Sequence, residues 1–209
     1  MIQRRPLLLA SLAAALPLAP WGARAQQVDP GQATAFIQQV GNEMVAAING
    51  GGAPAQRRAQ VAAILRRAVD VDGVGRFVLG RWWRTASAAE QAEYQRLFEE
   101  TLVRNLSARF GDYQGVRFSL GRSQQRTEED VLVNTIIERP GNPPFSLDWR
   151  VGQVGNAPRI VDVIAEGTSL RLTQRSEYSA VVSRNGGQVA PLLVAMRNQI
   201  AQLSAREGG

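Results

Sequence analysis

The sequence contains no cysteine, no histidine and no lysine in 209 residues. Each absence removes a kind of chemistry. Without histidine there is no Ser-His-Asp triad and no imidazole metal ligand. Without cysteine there is no thiol nucleophile, no zinc ribbon and no disulfide. Without lysine there is no Schiff base and no phosphate-loop lysine. A metal site would need oxygen ligands alone, and no spacing of the EF-hand type occurs. No metal, no cofactor and no enzymatic activity are therefore expected.

What remains is informative. All 24 basic residues are arginine, against 18 Asp plus Glu. Apolar residues make up 44% of the chain, enough for a packed core and too many for a disordered one. The length suits one domain better than two.

The first 25 residues read as a secretory leader. Arg4 and Arg5 are basic, Leu7 to Leu18 is mostly apolar, and Ala23-Arg24-Ala25 places small residues where a signal peptidase reads. Cleavage is expected after Ala25. The apolar run is shorter than the ~20 residues a membrane span needs. The paired arginines suit either the general or the twin-arginine export route. Losing Arg4, Arg5 and Arg24 lowers the net charge from +6 to +3. That modest charge, together with export, argues against nucleic-acid binding. Residues 26–209 are expected to form a single domain.

Asp29-Pro30 signals a helix start. Phe36, Ile37, Val40, Met44, Val45 and Ile48 then recur at helical spacing to Asn49. Gly50-Gly51-Gly52 breaks that helix, and Pro54 starts a second. A short apolar helix around Val74 to Leu79 ends at Gly80. Ser87-Ala88-Ala89-Glu90 reads as a capping box for a long helix with Tyr94, Leu97, Phe98, Leu102, Leu106 and Phe110 on its stripe, closed by Gly111. The period then changes to two. Val116–Leu120, Val131–Ile137, Phe145–Val151 and Arg159–Ala165 read as strands joined by short turns, hence antiparallel neighbours. Helical patterns return from Ser169 to Arg184 and from Val189 to Ala205. The predicted class is α+β: a twisted antiparallel sheet of four or more strands, with helices packed on one face.

Three local sequences go further. Phe77-Val78-Leu79-Gly80-Arg81-Trp82-Trp83-Arg84-Thr85-Ala86-Ser87 resembles V-L-G-R-Y-W-R-T-A-[ST] of the MlaC or toluene-tolerance family. Arg159-Ile160-Val161-Asp162-Val163-Ile164-Ala165-Glu166-Gly167-Thr168-Ser169-Leu170 resembles its V-x-D-V-x-x-E-G-V-S-L. Arg175-Ser176-Glu177-Tyr178 resembles its R-S-x-F. Order and spacing agree across the mature chain. Trp82 stands where the family commonly has Tyr, Gln174 where many members have Tyr, and Thr168 where Val is usual.

The resemblance implies a periplasmic phospholipid carrier with its acyl chains in an apolar pocket between sheet and helices. It implies two partner assemblies: an outer-membrane lipoprotein complex and an inner-membrane ABC transporter with a ring of MCE domains. The role would be to maintain outer-membrane lipid asymmetry, and the carrier would be a monomer. A related branch is linked to hopanoid synthesis, so the alternative is a carrier for another apolar ligand, such as a hopanoid or an organic solvent.

Each of roughly 30 tail methylenes is worth about 0.8 kcal/mol on leaving water, so a carrier must shield them almost completely. Phe77, Leu79, Trp82, Trp83, Phe98, Leu102 and Leu106, with Val133, Ile137, Leu147 and Trp149 from the sheet, are expected to line the pocket. Arg81 and Arg84 flank the two tryptophans and suit a head group, as does Arg175. Their structural reading is an ion pair of Arg81 or Arg84 with Asp162 or Glu166. Asp162 sits in an apolar strand and needs a partner of some kind. As an acid/base pair, Asp162 and Glu166 would lack an activated nucleophile beside them, because Ser169 has no His or Lys and no G-x-S-x-G turn.

Overall fold

The computed structural model describes residues 28–108 and 113–207. The leader, Phe110 and Gly111 lie outside the described residues.

Helix α1 spans Pro30–Asn49, with Asp29 as its N-cap: the Asp29 carboxylate accepts a hydrogen bond from the Gln32 amide at 3.1 Å. Helix α2 spans Pro54–Ala68, and α3 spans Val71–Leu79 behind Asp70, whose carboxylate accepts from the Gly73 amide. The chain leaves α3 at Gly80, with φ +61°, and turns through a short 3-10 segment, Gly80–Arg84. A side chain at that φ would be strained, which explains glycine there. Helix α4, Ala88–Ser107, opens with the expected capping box. The Ser87 amide donates to Glu90 at 2.8 Å and the Glu90 amide donates to the Ser87 hydroxyl at 3.3 Å.

Five strands follow: β1 Arg117–Gln125, β2 Asp130–Glu138, β3 Phe145–Val154, β4 Ala157–Ala165 and β5 Thr168–Ser169. They pair in sequence order as one antiparallel meander. Helices α5, Leu170–Arg184, and α6, Ala190–Glu207, close the chain. The α+β class and the antiparallel sheet agree with the sequence reading.

Two elements differ from it. Strand β1 runs on to Gln125, although Gly121–Gln125 is polar and exposed. An edge strand open to water on both sides carries no apolar alternation, so only its backbone pairing with β2 reveals it. A bulge between Leu120 and Ser123 resets the register there. Strand β5 has two residues, too few for any period.

The register defines the two sheet faces. Val131, Val133, Thr135 and Ile137 of β2 stand opposite Val151, Trp149, Leu147 and Phe145 of β3. Phe118 and Leu120 of β1 join the same face through Ile137 and Thr135. From β4, Val163 and Ala165 join through Trp149 and Leu147. This face turns toward the helices. The other face carries Asn134, which donates to Ser146 and Asp148 at 2.7 Å. It also carries the Arg150–Asp130 ion pair.

Candidate functional site

Two apolar clusters hold the protein together. The first fills the seam between α1, α2 and the inner sheet face, with Ile37, Val40, Val61, Leu65, Val131, Val133, Val151 and Ile160 buried. The second joins α3, α4, α5 and α6 through Leu79, Tyr94, Phe98, Tyr178, Val182, Leu192 and Met196. Leu102 of α4 packs against both.

The expected pocket residues divide between these clusters. Val133 is buried in the first, and Trp149 is half-buried against it. The Trp149 indole N–H donates to the Thr135 hydroxyl at 2.8 Å, so its polar atom is satisfied beside apolar neighbours. Ile137 and Leu147 lie half-buried on the same face, toward the end where Phe118 and Phe145 are also half-buried. Leu79 and Phe98 are buried in the second cluster, with Phe77, Trp82 and Trp83 packed on its edge. Leu106 is 42% exposed. The sheet seam and the aromatic edge are thus separate surfaces, bridged by Leu102.

Helix α1 approaches β1 closely at Gly41. A Cβ built there would stand 2.4 to 2.8 Å from the ring carbons of Phe118. Glycine at this position lets α1 lie directly on the ring of an edge-strand residue.

Sequence reasoning missed Arg139, which directly follows β2. Its guanidinium lies 4.9 Å from the Tyr113 ring and 5.2 Å from the Phe145 ring. Its Nε is buried and has no hydrogen-bond partner among the described residues. Arg139 follows β2 at the half-buried end of the seam, beside Ile137 and its partner Phe145. The signal for it was positional: an odd-numbered residue continues the inner face of β2 by one step.

The arginines singled out from the sequence line a different place. Arg76, Phe77, Gly80, Arg81, Trp83, Arg84 and Arg175 surround an open depression of about 400 Å³. A second depression of about 280 Å³ adjoins it, reaching Trp82 and Ser179. Arg175 donates to the Phe77 carbonyl at 3.2 Å, and its guanidinium lies close over Gly80. No sheet residue lines either depression.

Asp162 has the partner its burial requires, but it is Arg171. The Arg171 Nε stands 3.3 Å from the Asp162 carboxylate, within ion-pair range though its N–H is not aimed at the oxygen. That carboxylate also accepts from the Ser169 hydroxyl at 2.6 Å, the Val163 amide at 2.8 Å and the Arg171 amide at 3.2 Å. Burial pushes the Arg171 pKa below its usual value, with the nearby Asp162 charge opposing the shift. The cluster ties β4 to the first turn of α5. Ser169 is thereby the N-cap of α5, with its hydroxyl engaged by Asp162 and the Leu172 amide. Burial also pushes the Tyr94 phenol far above its ordinary range and Tyr178 up to about 12. Neither can exchange a proton near neutral pH. Among the described residues, no group of acidic side chains could hold a metal, and no helix is long and apolar enough to cross a membrane.

An antiparallel meander with one apolar face roofed by helices defines a class of α+β protein built around a single sheet–helix seam. The same fold is seen in the phospholipid-binding protein from Ralstonia solanacearum, solved in complex with a phospholipid. The two share a TM-score of 0.74 at 22% identity, over 82% of this chain and 98% of that one. The family model described as MlaC protein matches residues 22–198. The chain belongs to the MlaC family.

Proposed function

We propose that the protein binds and carries phospholipid in the periplasm, with the acyl chains lodged in the seam between the inner sheet face and helices α1, α2 and α4. The observation that carries this reading is the inner face itself. It is apolar from Val151 and Val133 through Trp149 and Leu147 to Ile137 and Phe145, with Thr135 the one polar side chain between them. The far end of that face is only half-buried, which suits a mouth. Family membership and the lipid-bound relative of the same fold support it.

The seam is packed: Val131, Val133 and Val151 have no exposure. Lipid uptake therefore requires α1 and α2 to separate from the sheet. Lined by Val133, Ile137, Leu147, Trp149 and Leu102, the opened seam exchanges protein contacts for contacts with acyl chains. One apolar surface replaces another, so the net cost stays small. Arg139, which forms no ion pair among the described residues, supplies the lipid phosphate with a cation at the mouth. Charge-assisted hydrogen bonds to phosphate are the strong kind, and the orphaned Nε would gain its missing partner.

The route follows from the same reading. Residues 1–25 direct export, and residues 26–209 act as one carrier domain. The carrier exchanges lipid with an outer-membrane lipoprotein complex and an inner-membrane ABC transporter bearing MCE domains. Energy for direction comes from the transporter. The protein performs no chemistry on its cargo.

Native mass spectrometry of the purified protein, with lipid extraction, tests the reading. A bound glycerophospholipid is the expected result. A bound hopanoid would change the cargo and keep the seam. A ligand-free mass, with no uptake from phospholipid vesicles, would refute the carrier.

A further inference from the structure

The depression between α3, the 3-10 segment and α5 has a chemistry of its own. Arg76, Arg81, Arg84 and Arg175 ring it, and all four are exposed. None of the four forms an ion pair among the described residues. Among the described residues, no carboxylate lines the depression. Aromatic rings hold three of the four guanidinium groups instead. Arg76 lies 5.2 Å from the Trp83 ring, Arg81 4.2 Å from Trp82, and Arg175 4.8 Å from Phe77. A ring orients an arginine without neutralising it, so the full positive charge faces outward. Leu172 lies one helical turn before Arg175 on α5 and is 56% exposed.

We propose that this surface docks the protein onto an anionic lipid bilayer, with the four arginines on lipid phosphates and Leu172 and the tryptophan rings at the glycerol level. The proposal rests on the carrier reading, since a lipid carrier must approach lipid surfaces. Charge complementarity alone would also suit an acidic protein. The aromatic and leucine content favours the bilayer, because tryptophan concentrates at membrane–water boundaries and anionic leaflets attract arginine. An open concavity of this size accepts a head group from above and has no room to enclose two acyl chains. The site is therefore distinct from the seam that takes the cargo.

The test is vesicle co-sedimentation of the purified protein and of the double variant Arg81→Gln/Arg84→Gln. Two vesicle types are compared, pure phosphatidylcholine and phosphatidylcholine with phosphatidylglycerol. The original protein is expected to prefer the anionic vesicles and to lose that preference in high salt. The variant should bind them about 30-fold more weakly, the equivalent of about 2 kcal/mol at roughly 1 kcal/mol per arginine. Neither side chain makes a hydrogen bond or ion pair among the described residues, so the variant should fold, and its thermal transition checks this. Equal binding by the two proteins, or no preference for anionic vesicles, overturns the proposal and assigns the surface to an acidic protein partner. The lipid mass carried by the variant is read in parallel and should be unchanged. Loss of cargo together with docking would place the arginines in the cargo site and also overturn it. Vesicle binding by a protein that never carries lipid would sink the carrier reading and leave the docking surface standing.

Discussion

Replacing Gly41 with alanine sets two effects of opposite sign against each other. In a helix interior alanine is favoured over glycine by about 0.8–1.0 kcal/mol, so α1 alone should gain stability. The new Cβ, however, would fall 2.4 Å from Phe118 Cζ and 2.7 and 2.8 Å from its Cε atoms, well inside contact distance. Relieving such a clash means moving the ring or lifting the helix, and overpacking of this kind costs about 1–3 kcal/mol. The net expectation for Gly41→Ala is a destabilisation of up to about 2 kcal/mol. In a Phe118→Ala background the clash is gone, and the same change should stabilise by about 1 kcal/mol. Urea denaturation of the four proteins gives the cycle, with an expected coupling of about 1–3 kcal/mol. If Gly41→Ala stabilises both backgrounds equally, α1 does not lie on Phe118, and the account of the seam's closure is wrong.

Further outcomes follow from single sites. Asp162→Ala would strand the Arg171 guanidinium and the amides at the start of α5. A loss of about 3–5 kcal/mol in denaturant unfolding is expected, and a loss under 1 kcal/mol would show that the cluster is not what ties β4 to α5. Ser87→Ala removes one half of the capping box and should cost about 1 kcal/mol, measured the same way. The hydrogen bonds from Ser87 hold the Glu90 carboxyl below its usual 4.5. A lowered folded-state pKa means that the stabilisation is complete above 4.5 and is lost as the pH falls through the folded value. The stability gap between the protein and Glu90→Ala should therefore close on acidification, and a gap constant with pH would refute the assignment. Arg139→Gln should shorten lipid retention on the protein, read as faster transfer to acceptor vesicles, with the fold intact by circular dichroism.

Much of the fold was legible because its signals are local. The Asp29-Pro30 start, the Ser87–Glu90 box and the Gly80 stop act within one helical turn. The switch from a period of 3.6 to a period of 2 near Val116 marks where helices give way to the sheet. Strand β1 beyond Leu120 and the two-residue β5 escaped this reading because their stability comes from pairing with a neighbour and not from their own side chains. Asp162 shows the boundary well. Its apolar strand demanded a partner, and composition offered many arginines. Arg171 won because the tight turn at Glu166-Gly167 returns the start of α5 onto β4.

The sequence by itself determined the class of elements, their order, the caps that start α1 and α4, and the motifs that carry the family resemblance. Only the tertiary structure decided which apolar residues share a cluster. Periodicity reports that Phe98 and Val133 are each buried on one side, but not against what. Packing placed Phe98 among α5 and α6 and Val133 beneath α1 and α2, with Leu102 touching both layers. It also separated Arg81, Arg84 and Arg175 from the seam and brought Arg139 to its half-buried end. A helix or strand is specified by neighbours in sequence, whereas a pocket and a charged surface are specified by distances across elements, and these exist only once the layers have packed.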